Sequence, residues 1–312
     1  AAAAGASRTF TRTQSARLVT HGNITGWWLR GLAYLPLPVL HVLGAGLGVG
    51  LYGLPNSVRR SMQVNLTLCY PQLTQPKRQR LLRASLRETA KTLLELAALW
   101  HQPWTRLAPY TQAVTGEAAV QAALARRQGV IFALPHLGAW EYMGLYLGNR
   151  YPFTALYLPP RLAALAESIH HARERTGAKL LPLSEASSLR VLHRALRAGE
   201  TVGILPDQEA KRGGGVFAPF FHTPALTMTL LGRLARATDA VVIIAFAERL
   251  PRGQGYHLHF IPTPPEIAAA DPVQAATALN QAIAASIAVA PSQYQWAYHR
   301  FRRLPEGGKR TY

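Results

Sequence analysis

The 312 residues are 49% hydrophobic and only 16% charged, which excludes a disordered chain and allows one large α/β domain or two small ones. Lys and Arg number 34 against 15 Asp and Glu, a formal net charge of +19, so the expected partners are polyanionic: nucleic acid, an anionic membrane surface or a phosphorylated substrate. The lone cysteine, Cys69, excludes an internal disulfide and has no His/Cys cluster that suggests structural zinc.

Residues 1–23 read as a flexible leader, 24–56 as a hydrophobic membrane-anchoring segment, and 57–312 as the main domain. The first acidic residue is Glu88, and eleven basic residues from Arg8 to Arg87 precede it. Between them lies an uncharged apolar run over 31–54. Its 24 residues, at about 1.5 Å each, match a hydrocarbon core of about 30 Å. Pro36 and Pro38 weaken its start, and Trp27, Trp28, Tyr34 and Tyr52 near its ends suit a headgroup layer. Gly44, Gly46, Gly48 and Gly50 have the small-xxx-small spacing that admits a second helix closely. Arginines flank the run on both sides, so a spanning helix and one lying in a single leaflet fit alike. A buried helical hairpin of a soluble protein is the other reading. The G-x-G-x-x-G over 48–53 is not a dinucleotide site, because Pro55 stops the helix and no acid for a ribose occurs before Glu88.

Apolar residues at helical spacing predict a helix over 75–100 with Arg78, Arg83, Arg87 and Lys91 on its other face. A short helix over 117–127 leads to a continuous apolar run at 129–134, the pattern of a strand buried on both faces. Helices follow at 139–148, 162–176 and 186–197, with strands at 156–158, 201–205 and 240–247. Residues 256–261 alternate like an edge strand, and Asp271-Pro272 opens a helix to about residue 288. The fold class is therefore α/β: a single domain with a mainly parallel central sheet flanked by helices, plus an N-terminal hydrophobic membrane-associating helix. Ligands are expected at the carboxyl ends of the strands.

Directly after the first buried strand comes Pro135-His136-Leu137-Gly138-Ala139-Trp140-Glu141. Five residues apart, His136 and Glu141 do not share a helix face. With His136 in the turn and Glu141 in the next helix, the carboxylate can fold back, fix the tautomer and stabilise an imidazolium, making a general base for a hydroxyl nucleophile. A core histidine beside a solvated glutamate is the other reading of this spacing. No G-x-S-x-G or H-E-x-x-H occurs.

The H-x4-E block resembles the signature of glycerolipid and lysophospholipid acyltransferases. More specifically, the chain resembles the bacterial late lipid A biosynthesis acyltransferases. The resemblance rests on Asn65-Leu66 through Tyr70-Pro71, on His136 to Glu141, and on Ile204-Leu-Pro-Asp207-Gln208 followed by Gly215 to Phe221. Thr227, Arg233 to Ala235 and Pro291 to Arg302 complete it in the family's order. It implies an acyl-carrier-protein donor, a hydroxyl on a hydroxyacyl chain of a lipid A precursor as acceptor, and the cytoplasmic face of the bacterial inner membrane. It also implies His136 as base, Glu141 as its partner, Asp207 and Gln208 lining the site, and an acyltransferase domain over 57–312. No cofactor, metal or nucleic acid is implied. The chain departs from the family at Tyr157-Leu158-Pro159-Pro160-Arg161, which leaves Arg161 and Arg173 as alternative substrate-binding guanidiniums, and at His222 after Phe220-Phe221. His257 and His259 have ligand-like spacing but no acidic neighbour in sequence, so they are expected on a strand surface. A lysophospholipid or another glycolipid is the alternative acceptor. A basic nucleic-acid-binding protein is a more distant reading, disfavoured because the N-terminal aromatics adjoin an apolar run rather than a polar basic face.

Overall fold

The computed structural model describes residues 31–157, 163–182, 186–210, 213–305 and 311–312. The expected leader, Trp27, Trp28 and Arg161 lie outside the described residues.

Pro36 sets the start of helix α1 (Leu37–Gly53), and Pro38 is tolerated in its first turn, where backbone N–H groups have no intrahelical partner. Helix α2 (Ser57–Cys69) follows, capped by the Asn56 side chain on Arg59 N. Helix α3 (Gln75–His101) is the longest in the chain as described. Gly44 and Gly48 of α1 sit against α3 so closely that a Cβ on Gly48 would lie 2.4 Å from Arg87 Cα, and one on Gly44 2.7 Å from Lys91 Cα. Gly46 and Gly50 face open space, so only half of the glycine row makes the helix contact. The opposite face of α1 exposes Val39, Val42, Leu43, Leu47 and Val49. Among the described residues no single helix is long and apolar enough to cross a membrane; α1 and α2 qualify only together, and they are bent by 83°. The apolar run is thus interrupted as a helix: residues 31–33 are helical, the chain breaks over 34–36, and α1 starts again after Pro36.

The sheet holds β1 (Thr111–Thr115), β2 (Val130–Ala133), β3 (Phe153–Tyr157), β4 (Lys179–Pro182), β5 (Thr201–Ile204), β8 (Val241–Arg249) and β9 (Tyr256–Pro262). Their order is β1-β9-β8-β2-β5-β3-β4. All neighbours pair in parallel except β8 with β9. β2 and β5 are buried along their whole length, as strands covered on both faces must be. The covering helices are α4 (Glu117–Ala125), α5 (Trp140–Arg150), α6 (Ala163–Glu174), α7 (Ala186–Arg197), α8 (Leu230–Thr238) and α9 (Pro272–Val289), the last capped by Asp271 as its sequence predicts. A separate hairpin, β6 (Gly215–Phe220) with β7 (Thr223–Met228), packs on α9.

The alternation of β9 misplaces it: β1 covers it in parallel, so β9 is interior and β1 is the edge. β1 escapes a sequence reading because Thr-Gln-Ala-Val-Thr is polar and mostly exposed, with no apolar face to alternate.

A buried polar knot joins α1, α3 and the sheet. Glu95 accepts from Arg249 Nε at 2.9 Å and from the Tyr256 hydroxyl at 3.1 Å, with the His41 ring at 3.0 Å. Burial alone would raise the Glu95 carboxyl, but Arg249 and His41 outweigh it and hold it at about 2. For the α1–α3 contact, Gly48→Leu is expected to destabilise the folded chain by about 1–3 kcal/mol, since the new side chain meets backbone. Gly46→Ala, which points into open space, should leave the thermal midpoint unchanged or raised. Equal midpoints for Gly48→Leu and the parent would contradict the close crossing.

Candidate active site

The carboxyl ends of adjacent strands β2 and β5 carry the two short segments that make the site. Strand β2 runs into Pro135-His136-Leu137-Gly138, and β5 into Leu205-Pro206-Asp207-Gln208. Parallel register pairs Ala133 with Ile204, so both segments leave the sheet side by side. Gly138 adopts φ +63°, and a Cβ there would lie 2.0 Å from the Ala247 carbonyl oxygen, so this turn admits only glycine. The Ala139 N–H donates to that same carbonyl at 2.8 Å. The C-terminal segment braces the turn from the other side: Gly138 N–H donates to Gln293 O at 3.1 Å, and Gln295 N–H donates to His136 O at 3.0 Å.

The carboxylate that meets the imidazole is Asp207, not Glu141. Its Oδ2 accepts the His136 backbone N–H at 2.8 Å, and its Oδ1 lies 2.8 Å from Nδ1. Asp207 is 2% exposed and His136 9%. Burial alone would raise the Asp207 carboxyl, but the imidazole and the two hydrogen bonds from His136 overcome it and hold it below the usual carboxylate range. An ionised Asp207 accepts the proton on Nδ1, which leaves the lone pair on Nε2. The Gln208 side-chain amide nitrogen sits 3.2 Å from that Nε2 and donates to it. Trp140 lies edge-on to the ring at 5.2 Å. The hydroxyl of buried Tyr294 is raised well above its ordinary value, first by burial and then by the Asp207 carboxylate.

Glu141 occupies the first turn of α5 and is also buried, but its carboxylate is taken by Arg173 of α6, with Nε at 3.0 Å on Oε2 and Nη2 on Oε1. The expected His136–Glu141 pair is therefore replaced by two pairs, His136 with Asp207 and Glu141 with Arg173. Helix geometry is the reason: Glu141 projects from a turn already closed onto α6, whereas Asp207 reaches the ring from a neighbouring strand end. Arg173, expected as a substrate contact, spends its fork on Glu141 while its side chain stays 29% exposed. His222 is exposed in the β6–β7 turn. Cys69 is fully buried and its thiol is pushed up by burial, which suits an inert apolar filler.

Glu209 gave no signal of its own in sequence, whereas Asn65, Thr227 and Arg300 lie in segments that carry the family resemblance. Glu209 follows the site pair and anchors it: its N–H donates to the Tyr298 hydroxyl at 3.0 Å, while its carboxylate accepts from Arg303 N at 2.8 Å and Arg302 Nη2 at 2.9 Å. Asn65 of α2 donates to Trp296 O and Tyr298 O, both at 2.7 Å, tying the N-terminal motif to the C-terminal one. Arg300 donates to Thr227 Oγ1 at 2.9 Å. The motifs far apart in sequence thus converge on one scaffold behind the His136 turn.

Residues 13–303 match the family described as bacterial lipid A biosynthesis acyltransferase. The chain belongs to this family. It is 27% identical over 281 residues to a lipid A biosynthesis lauroyltransferase of Escherichia coli (strain K12), covering 90% of each chain. A lipid A biosynthesis palmitoleoyltransferase of the same organism is 29% identical over 282 residues, 89% of this chain and 90% of that one. A phosphatidylinositol mannoside acyltransferase of Mycobacterium tuberculosis is 30% identical over 143 residues, 45% of each chain. Family membership places the protein among the acyltransferases of lipid A biosynthesis, and the His136–Asp207 pair is the arrangement in it that suits a general base.

If Asp207 sets the tautomer, Asp207→Asn lowers kcat about 10²- to 10⁴-fold, because an amide that donates to Nδ1 puts the proton on Nε2. KM for the acyl donor should stay within a few-fold. Steady-state kinetics on folded protein measure both, and an unchanged kcat would contradict the assignment.

Proposed function

We propose that this protein transfers a fatty acyl chain from an acyl-carrier-protein thioester to a hydroxyl on a hydroxyacyl chain of a lipid A precursor, by direct attack without an acyl-enzyme. The observation that carries the reading is a buried carboxylate orienting an imidazole at the strand ends, in a chain that matches this family over nearly its whole length. Nε2 of His136 takes the acceptor's hydroxyl proton as the oxygen attacks the thioester carbonyl. The tetrahedral oxyanion then collapses, the C–S bond breaks, and the imidazolium returns its proton to the leaving thiolate. The first N–H groups of α5 follow the His136 turn directly and have no side-chain cap, so they are the backbone donors available to the oxyanion. Gln208 holds Nε2 until the acceptor hydroxyl takes its place.

Membrane association at the cytoplasmic face of the inner membrane belongs to the same proposal. Residues 24–56 serve as the anchoring segment and 57–312 as the acyltransferase domain. Supporting this are the exposed apolar face of α1 and a net charge of +19, which suits anionic lipid, a phosphorylated acceptor and an acidic carrier protein. A different lipid acceptor is the second reading, favoured by the partial match to the phosphatidylinositol mannoside acyltransferase.

The test is incubation of detergent-purified protein with acyl-carrier-protein thioesters of several chain lengths and a lipid A precursor, read by mass spectrometry. One acyl ester gained on the precursor and free carrier thiol released are expected, with no acylated protein at any time. His136→Ala should cut the rate about 10²- to 10⁴-fold. Transfer at the parent rate in His136→Ala, or a chemically competent acyl-protein, would overturn the mechanism. Faster acylation of a lysophospholipid than of the precursor would favour the second reading.

A further inference from the structure

The His257–His259 pair has the acidic neighbour that its sequence surroundings lack. β8 and β9 run antiparallel with Glu248 directly opposite His257 and Phe246 opposite His259, so all three polar side chains rise from one face of the sheet. We propose that Glu248, His257 and His259 form a binding site for a divalent cation of the zinc class, distinct from the acyl-transfer site.

One donor atom from each residue lies within 4.8 Å of the other two. His259 Nε2 is already 2.9 Å from Glu248 Oε2, and the two imidazole centroids are 4.0 Å apart. Ligands around a tetrahedral zinc ion, with bonds of about 2.0–2.2 Å, stand about 3.4 Å from one another. Small side-chain rotations therefore bring this trio onto a common ion, with no backbone change. Its setting restrains the rings: Phe246 stacks flat on His259 at 4.6 Å and 11°, and Thr115 Oγ1 of β1 sits 2.7 Å from His257 Nε2. Two imidazoles and one carboxylate select Zn²⁺ and its late first-row neighbours over Mg²⁺ or Ca²⁺, which want six or more oxygens. All three residues are half-buried, so an ion and a water completing its shell can reach them.

The site sits where it can stiffen the sheet near the chemistry. Ala247, one residue before Glu248, holds the Gly138–Ala139 turn through its carbonyl. An ion shared by Glu248 and the two histidines clips β8 to β9 at that end.

The experiment is a Zn²⁺ titration of tag-free, chelator-stripped full chain by calorimetry, with Co²⁺ absorption and thermal midpoint as second readouts. One ion per chain, a Co²⁺ ligand-field band and a raised midpoint are expected. The double substitution His257→Gln with His259→Gln should abolish the event, and Glu248→Gln should weaken it at least about tenfold. His170→Gln, in a separate surface His–Glu pair, should leave it intact. Should the double variant fail to fold, the isosteric Glu248→Gln decides alone: unchanged Zn²⁺ affinity there overturns the proposal. Absence of saturable binding to the parent, binding that survives loss of both histidines, or equal affinity for Mg²⁺ also overturns it.

Discussion

The site depends on a two-point clamp: one buried carboxylate, on Asp207, takes both the backbone N–H and the ring nitrogen of His136. A single bond to Nδ1 would leave the ring free to pivot; the second bond fixes the turn that carries it. The clamp exists because β2 and β5 are neighbours in parallel register, so their carboxyl ends open into the same crevice. A buried carboxylate is costly without partners, and Asp207 remains ionised because both of its oxygens are satisfied by His136. The same satisfaction makes the imidazole directional, with its lone pair outward on Nε2.

Around this clamp the chain closes from distant points. The segment after α9 runs along the His136 turn and donates into it, and Asn65 of α2 holds that segment in turn. Glu209 secures the residues following Asp207. On the far side, Glu95 and Arg249 form an almost solvent-free ion pair at 2.6 Å that ties α3 to β8, and His41 brings α1 into the same knot. The apolar helix proposed to meet lipid is thus bonded through Glu95 to the strand whose Ala247 carbonyl supports the His136 turn. Removing one partner of such a buried pair leaves a charge stranded in the core, so the connection resists piecemeal change.

Much of this architecture was legible in the sequence where patterns are local. Unbroken apolar runs marked β2, β5 and β8; Asp271-Pro272 marked the start of α9; and helical spacing marked α3. Polar β1 had no pattern to read, and without it β9 looked like an edge. The site was half legible. His136 followed a buried strand and stood out, and Asp207-Gln208 stood out only by resemblance to a family. Sequence proximity and the H-x4-E resemblance both point to Glu141 as the partner of His136, yet strand adjacency outweighs sequence proximity in a parallel sheet. The Glu248–His257–His259 cluster was hidden for a related reason: cross-strand register brings Glu248 to a pair that sequence leaves without an acid.

The most direct test of the central claim is the tautomer of His136, observed by ¹⁵N–¹H correlation NMR on histidine-labelled protein with the ring neutral. The account predicts a proton on Nδ1 and a bare Nε2, a pattern that survives Glu141→Gln and is lost in Asp207→Asn. A proton on Nε2 in the parent chain, or a pattern lost with Glu141→Gln instead, would contradict it.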